Sequence, residues 1–402
     1  MTDQCINSRG VKTANKSRIL KLLYREGRMS RKEIAKRTGL TPAAVTTQIA
    51  DLINKGIVCE MYEQLAERRA GRREIILDIV RASFACVGLT LSSYDSRACV
   101  MDFQGRLLNE KKLDLPSFGS AKELEDHLCR EIADMESFCK VEKLHLVGVG
   151  ISLRGIVNDR EGIWVDPYQF IPEKHIALRA HLERRVDHKI TIEDNVRAMA
   201  SAELLLSGDT SANGVLFLKY GPGLGGAFCI DSDIYHGARF QASELGHLLV
   251  WNPDGSGLPV QLEELVSYHA IEKHIQLRYS AELYPVLFQN TGGNLAHVSI
   301  LEIFNAYSEG DPGVSAVLRR CQQNLLYTIQ NAVSLFDPQK IVLYGDAFEN
   351  ERFYSGLVEM LHGSEELGAY HECIGKSLFN TDLAMRGAAA LALRTFLESS
   401  EL

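Results

Sequence analysis

The chain has 402 residues, of which 46% are hydrophobic and 24% charged, a composition that excludes a disordered chain and supplies the cores of two or three domains. It contains no run of 18 or more apolar residues and its first ten residues lack an apolar core, so we expect a cytoplasmic protein with no membrane partner. Residues 1–81 hold 17 Lys and Arg against 9 Asp and Glu, whereas the other 321 residues hold 27 against 43.

The basic segment 15–55 carries apolar residues at helical spacing in three short blocks. The second block begins at Ser30, with a glutamate three residues later that completes a capping box, and it stops at Gly39. The third block starts at Thr41, which is followed by a proline at the first helical position, and it stops at Gly56. Three short helices joined by tight turns predict a helix-turn-helix.

Two apolar segments, 57–61 and 74–77, predict a pair of strands after these helices. The loop between them, 67–73, is too charged to pack inside, and we interpret it as the wing of a winged helix, whose arginines enter a minor groove or clamp phosphates. The start of the third helix offers small and polar side chains that allow close approach to base edges. The predicted DNA-binding residues are Ser30, Arg31, Thr41, Ala43, Ala44, Thr46, Thr47, Gln48, Arg68, Arg69, Arg72 and Arg73.

These features divide the chain into two predicted domains. Residues 1–81 form a winged helix-turn-helix head that binds double-stranded DNA, and residues 82–402 form an acidic body. The alternative is a three-helix packet whose arginines are merely solvated. Basic charge, helix caps, the composition of the third helix and an arginine-rich wing occur together here, which favours DNA binding.

The body alternates strands with longer helices. Three strands joined by short turns predict a meander, and mixed sheets flanked by helices, built twice, predict an α/β body with two lobes and a cleft. The predicted strands are 84–91, 97–102, 107–111, 144–151, 190–193, 215–220, 225–230 and 340–344, and the predicted helices are 121–139, 196–207 and 386–397 with a largely helical region over 262–336.

Six short motifs carry a resemblance to a known family. The chain resembles the ROK family of repressors and sugar kinases, and within it the NagC/XylR-type transcriptional repressors, over nearly its whole length. The resemblance implies an actin-like, hexokinase-like body with a sugar in its cleft, preceded by a winged-helix head that responds to the sugar. The motifs are Asn15-x-x-Arg-Ile-Leu20, Gly71-Arg-Arg, Ile192-Glu-Asp-Asn-Val-Arg197, Gly221-x-Gly-Leu-Gly-Gly226, Glu244-Leu-Gly-His247 and Asp337-Pro338.

Two catalytic elements that the resemblance leads us to expect are altered. Kinases of the family carry a glycine-rich phosphate turn after the first body strand, because glycine lets backbone N–H groups approach phosphate closely. This chain has Thr90-Leu-Ser-Ser-Tyr94 there. The catalytic base is the aspartate of an Asn-Asp pair, but the order here is Asp194-Asn195, and an amide at position 195 cannot accept a proton. We therefore expect no enzyme activity, unless a one-residue backbone shift brings Asp194 into the role of the base.

A zinc site is also expected to be absent. Relatives carry Cys-x-Cys-Gly-x-x-Gly-Cys, which with the histidine of Glu-x-Gly-His holds zinc. The corresponding stretch, 254–261, has Asp, Ser and Gln in place of the thiolates, and the nine scattered cysteines form no Cys-x-x-Cys pair. We predict neither metal nor cofactor, and we expect Trp251, Pro253 and Pro259 to hold this loop by packing.

The sugar side of the cleft is better preserved. Carboxylates, amides and an imidazole in one cleft suit a ligand rich in hydroxyl groups. Two alternatives stay open: His247 bonds only a backbone carbonyl, or Glu263 serves only a helix start, where a carboxylate is favourable. Trp164 and Tyr168 either stack on a sugar ring or belong to the core. By the resemblance, the ligand-binding residues are Gly155, Asp194, Asn195, Glu244, His247 and Glu263.

Three interpretations follow from these observations. The leading one is a transcriptional regulator, a repressor of carbohydrate genes, that binds DNA as a homodimer or dimer of dimers and responds to a sugar-like effector by a population shift. The second is a sugar kinase with an accessory DNA-binding head. The third is a ligand-independent regulator controlled by a protein partner.

Overall fold

The computed structural model describes residues 8–62, 75–92, 95–115, 117–168, 170–208, 213–252, 258–379 and 381–399. Packing divides the chain into two compact units, a first unit of Met1–Thr210 with Leu383–Leu402 and a second unit of Ser211–Asp382. The predicted head packs within the first unit, and the end of the chain returns to that unit. Among the described residues, no helix is long and apolar enough to cross a membrane.

The head contains the three predicted helices. Its elements are α1 (Ser8–Glu26), β1 (Met29–Ser30), α2 (Arg31–Thr38), α3 (Pro42–Asn54), β2 (Val58–Tyr62) and β3 (Ile75–Ile79). The Glu33 backbone N–H donates to the Ser30 hydroxyl at 3.3 Å and the Ala44 N–H donates to the Thr41 hydroxyl at 3.2 Å, so both predicted caps are confirmed. Strand β1, which the sequence did not predict, completes an antiparallel sheet of order β1-β3-β2. The predicted wing loop lies outside the described residues.

The rest of the first unit before residue 210 is built on a five-stranded sheet. Its elements are β4 (Phe84–Leu91), β5 (Arg97–Asp102), β6 (Leu107–Lys112), α4 (Ala121–Val141), β7 (His145–Leu153), β8 (Ile156–Asn158), β9 (Ile163–Asp166), α5 (Leu178–Glu183), β10 (Ile190–Asp194) and α6 (Asn195–Leu206). The sheet order is β10-β7-β4-β5-β6, with the meander β4-β5-β6 antiparallel and β4, β7 and β10 parallel. The predicted meander is therefore confirmed.

The second unit repeats this topology. Its elements are β11 (Gly214–Tyr220), β12 (Leu224–Ile230), β13 (Asp233–Ile234), β14 (Leu249–Trp251), β15 (Pro259–Gln261), α7 (Glu263–Val266), α8 (Tyr268–Gln276), α9 (Pro285–Asn290), α10 (Ile300–Ser308), α11 (Pro312–Phe336), β16 (Lys340–Tyr344), α12 (Asp346–Glu349), α13 (Glu351–His362) and β17 (Ile374–Lys376). The sheet order is β13-β12-β11-β16-β17, again an antiparallel meander followed by two parallel strands reached through helices. Each unit has its own buried apolar core, which confirms the predicted doubling.

The last helix, α14 (Leu383–Ser399), packs against β4, β7, α6 and α1 of the first unit. Its alanines at 388, 389, 390 and 392 are buried, and these small side chains let the helix lie close to the sheet. The sequence predicted this helix over 386–397. Its return to the first unit is a long-range contact that no local pattern encodes.

Candidate DNA-binding face and ligand-binding residues

Helix α3 shows one apolar face and one polar face. Val45, Ile49 and Leu52 recur at spacings of four and three residues and are fully buried, which fixes the helix on the head. Thr46 and Thr47 are exposed, and their hydroxyls donate to carbonyls one turn earlier, at 2.8 Å and 3.0 Å. A hydroxyl that donates in this way still has lone pairs for a DNA donor. The exposed predicted residues of this face are Thr41, Ala43, Thr46 and Thr47, with Ala44 partly exposed.

Three other residues that were predicted to contact DNA are buried or paired within the head. Ser30 is buried as the cap of α2, and Gln48 is only 5% exposed on the inward face of α3. The guanidinium of Arg31 lies 2.7 Å from the Glu60 carboxylate of β2. Their contact with DNA stays a prediction. Arg68, Arg69, Arg72 and Arg73 lie outside the described residues, and their role in the wing also stays a prediction.

The described part of the head has more cations than carboxylates, and some of the cations are left without an ion-pair partner there. Each of its five carboxylates has a cationic partner: Glu26 and Glu33 pair with Arg37, Asp51 with Lys16, Glu60 with Arg31 and Asp78 with Arg28. The Arg37 hydrogen bond lowers the pKa of Glu33. Five exposed cations have no carboxylate partner within the described ranges, and they give this surface the charge that a polyanion requires. They are Lys12, Arg25, Lys32, Lys36 and Lys55.

In the first unit, Asp194 caps helix α6. Its Oδ1 accepts the backbone N–H groups of Val196 and Arg197 at 3.0 Å and 3.1 Å. The residue is 8% exposed, and burial raises the pKa of its carboxyl above the ordinary value. Asn195, the first residue of α6, is partly exposed beside it. The structure thus places both predicted ligand-binding residues at one strand-to-helix junction.

A buried ion pair that the sequence analysis missed holds this junction. The Arg197 Nε lies 2.9 Å from Glu193 Oε1, and both residues are under 5% exposed. The same Glu193 oxygen accepts the Asp194 backbone N–H at 2.7 Å. The i, i+4 spacing of glutamate and arginine was the available signal. The pair locks the backbone that presents Asp194 and Asn195.

Gly155 and Trp164 have structural roles in the first unit. Gly155 has φ 102° in the turn between β7 and β8, and an added Cβ would clash with the carbonyl of Asp166. Trp164 is fully buried and donates its indole N–H to the Arg154 carbonyl at 2.8 Å. A fully buried ring offers no face to a sugar, so the stacking alternative for Trp164 is wrong and the core alternative is confirmed.

In the second unit, the predicted ligand-binding residue Glu263 lies at the turn that precedes β12, close to the backbone of the Glu244–His247 segment. Glu263, the first residue of α7, accepts the Leu224 backbone N–H at 3.3 Å, and an added Cβ on Gly223 would clash with its carboxylate. Glu244 and His247 flank Gly246, whose added Cβ would lie 3.4 Å from that of Glu263. Glu244 and Glu263 are partly buried, and His247 is exposed. The structure thus brings Glu263 to the Glu244–His247 segment, and carboxylates and an imidazole are groups that bind hydroxyls.

The ribbon beside the loop that the sequence analysis compared with a zinc motif differs from expectation. Trp251 and Leu249 are 72% and 69% exposed on the ribbon β14-β15, and Pro259 is exposed on the neighbouring strand. The predicted packing role of Trp251 and Pro259 is therefore wrong, because alternation along the ribbon turns their side chains to solvent. Pro253 and the residues at 254–257 lie outside the described residues, as do Ser93 and Tyr94 of the altered phosphate turn.

Comparisons with known proteins agree with this architecture. The DNA-binding transcriptional dual regulator NagC of Escherichia coli is 26% identical over 96% of this chain and 94% of its own length. The xylose repressor of Bacillus spizizenii is 21% identical over 96% and 97%. A crystal structure of a ROK family transcriptional regulator, a homolog of the E. coli MLC protein, matches with a TM-score of 0.81 at 23% identity over 96% and 97%.

A kinase structure matches a smaller share of the chain. A ROK family glucokinase from Streptomyces griseus, solved with glucose and AMPPNP, matches with a TM-score of 0.63 at 24% identity over 77% of this chain and 99% of its own. These structures show the fold, and they confirm the predicted winged helix-turn-helix followed by an actin-like, hexokinase-like α/β body. A sequence model described as winged helix-turn-helix DNA-binding matches residues 13–58. The model described as the ROK family matches residues 86–395, most of the chain, and the chain therefore belongs to the ROK family.

Proposed function

We propose that this chain is a transcriptional repressor of carbohydrate genes that binds operator DNA through its head and responds to a sugar. The observation that carries the proposal is the head surface: a capped helix with an exposed small and polar face, in a head whose exposed cations include five with no carboxylate partner among the described residues. The likeness to NagC and to xylose repressors over 96% of the chain supports the regulatory role.

The same proposal makes the protein a sensor without kinase activity, acting as a homodimer or dimer of dimers. Asp194, the nearest candidate for a catalytic base, already accepts two backbone N–H groups, which favours a structural carboxylate over a base. Effector binding then shifts the population between DNA-binding and released states. Transfer of phosphate from ATP to a sugar by the purified protein, abolished by Asp194→Ala, would contradict this part.

DNA binding is tested by selecting genomic fragments and titrating salt. Replacing Arg72 and Arg73 by Ala is expected to weaken binding to all sequences and to reduce the slope of log affinity against log salt by about 2, since each phosphate contact contributes about 0.9. The control replaces Arg130 and Arg184, exposed arginines of the body, by Ala and is expected to leave the slope unchanged. An unchanged slope in the first variant would remove the wing from the interface.

The sugar response is tested by calorimetry with glucose, N-acetylglucosamine, N-acetylmannosamine, xylose and fructose. Glu244→Ala is expected to abolish both the heat of binding and the release of DNA, with operator affinity intact. Glu264→Ala, which removes an exposed carboxylate from the same unit, is the control. No heat with any sugar, together with intact DNA binding, would favour the regulator controlled by a protein partner.

A further inference from the structure

Arg81 joins the head to the body. It lies in a single helical turn, Arg81–Ser83, between the last head strand and β4. One guanidinium nitrogen, Nη2, donates to the carbonyls of Leu23 and Tyr24, at 3.3 Å and 2.8 Å. These carbonyls belong to the last turn of α1, where a cation is favoured, and the Leu23 carbonyl also accepts the Gly27 backbone N–H at 3.1 Å. The connecting segment thus holds α1 by its C-terminal end.

Tyr24 strengthens this attachment. The Arg81 guanidinium lies over the Tyr24 ring, 4.7 Å from its centroid, and the tyrosine is only 8% exposed. Burial raises the pKa of Tyr24, and the nearby Arg81 guanidinium opposes this shift. The connecting segment therefore holds the last turn of α1 both by its backbone carbonyls and by the Tyr24 ring.

A second, weaker attachment lies one turn earlier on the same helix. Lys21 is 3.1 Å from Glu398 of α14, and Arg394 approaches the same carboxylate at 3.3 Å. The side chains of Lys21 and Glu398 are 38% and 44% exposed, so water screens this pair. Besides the packing of α1 on α14, Arg81, which combines two hydrogen bonds with ring stacking, is the stronger of these two polar attachments.

We propose that Arg81 is a positioning residue that fixes the orientation of the head on the body and thereby the separation of the two recognition helices in a dimer. The inference rests on the proposed function. Helices α1 and α3 pack on each other through fully buried residues, so a rotation of α1 at Arg81 moves α3 with it. Paired half-sites lie at a fixed helical spacing on DNA, about 10 base pairs per turn, and a loose head fits them less often.

The test uses the full chain and paired half-site DNA, selected by the wild-type protein, with the separation varied one base pair at a time. Wild type is expected to show a sharp optimum. For Arg81→Ala, affinity at the optimal separation is expected to fall about tenfold, because the head would adopt the binding-competent orientation about a tenth of the time. Affinity at other separations is expected to change little. Binding to a probe with one half-site scrambled is expected to stay the same. Arg184→Ala, which removes an exposed arginine far along the chain, is the control for charge.

Other outcomes overturn the inference. A spacing profile equal to that of wild type would show that the head is oriented without Arg81. An equal loss on paired and single half-sites would assign Arg81 to folding of the head or to DNA contact. If the wild-type protein bound paired half-sites no better than a single half-site, the proposed dimeric repressor would be contradicted. This measurement is made before any substitution, so it is distinguishable from a failure of the Arg81 inference.

Discussion

Asp194 combines two demands that conflict. As the N-cap of α6 its oxygen accepts two backbone N–H groups, which favours the carboxylate form. Burial disfavours that charge, and desolvation outweighs the opposing effect of Arg197, so the pKa is raised. Asparagine keeps an acceptor for the cap and carries no charge. An asparagine at position 194 therefore keeps the stabilising cap and removes the free-energy cost of the buried charge.

We expect Asp194→Asn to raise the thermal midpoint at pH 7 and the gain to shrink as pH falls toward 3.8, the ordinary aspartate value. The sign follows from linkage: a carboxyl with a raised folded pKa contributes stability at low pH and loses it as pH rises through that pKa. Calorimetric melts between pH 4 and pH 8 measure the difference. Asp187→Asn, at an exposed site, should show no such trend, and a gain independent of pH would contradict the role of charge.

For single residues, the sequence showed which side chains have suitable chemistry for a site, but it did not show which of them are buried. Gln48 was predicted to read DNA, yet it lies three residues after Val45 and four before Leu52, on the inward stripe of α3, so helical spacing held the correction. Trp164 gave no such signal, because a large aromatic ring on a short strand can either pack in a core or stack on a ligand. That Glu263 lies near Gly246 is not a local signal, since their approach depends on the tertiary fold.

Helix α3 depends on its caps because it is short. Its 13 residues are close to the length at which an isolated helix is marginal, and its first turn contains no acidic residue. The Thr41 hydroxyl is the side chain that satisfies a backbone N–H at this end. The three head helices were predictable because their caps and glycine stops are local signals. The pairing of β1 with β3 was not, since two residues carry no periodicity.

We expect Thr41→Ala to destabilise the head by about 1 kcal/mol, the usual cost of removing a threonine cap. Thr41→Ser keeps the hydroxyl and is expected to cost much less. Hydrogen exchange of the α3 amides in the full chain measures local stability, and operator affinity is measured alongside. Equal destabilisation by both variants would show that the methyl group, and not the cap, stabilises this end of the helix.

The chain order makes the first unit discontinuous. The polypeptide leaves this unit after Thr210, builds the whole second unit, and returns at Leu383. Local patterns predicted the two meanders and most helices, because each reflects periodicity within a short window. They could not show that the last helix packs against the first sheet, because that contact joins residues far apart in the chain. Cys99 and Met385, for example, are 286 positions apart. The first unit is therefore complete only when the entire chain is present.

We expect a chain that ends at Asp382 to lose the fold of the first unit and to retain that of the second. Helix α14 buries Leu383, Leu391, Leu393, Phe396 and Leu397, each at most 5% exposed. At about 1.5–3 kcal/mol per buried side chain, their loss removes about 7–15 kcal/mol, comparable with the whole stability of a domain.

Hydrogen exchange measures the outcome of this truncation segment by segment. Strands β4 and β7 should lose protection, whereas β11 and β16 should keep it, because the second unit has its own core. A chain that ends at Ser399 is the matched control and should behave as the full chain. Protection of β4 and β7 in the shorter chain would show that the first sheet is stable without α14, and retained operator binding would show the same for the head.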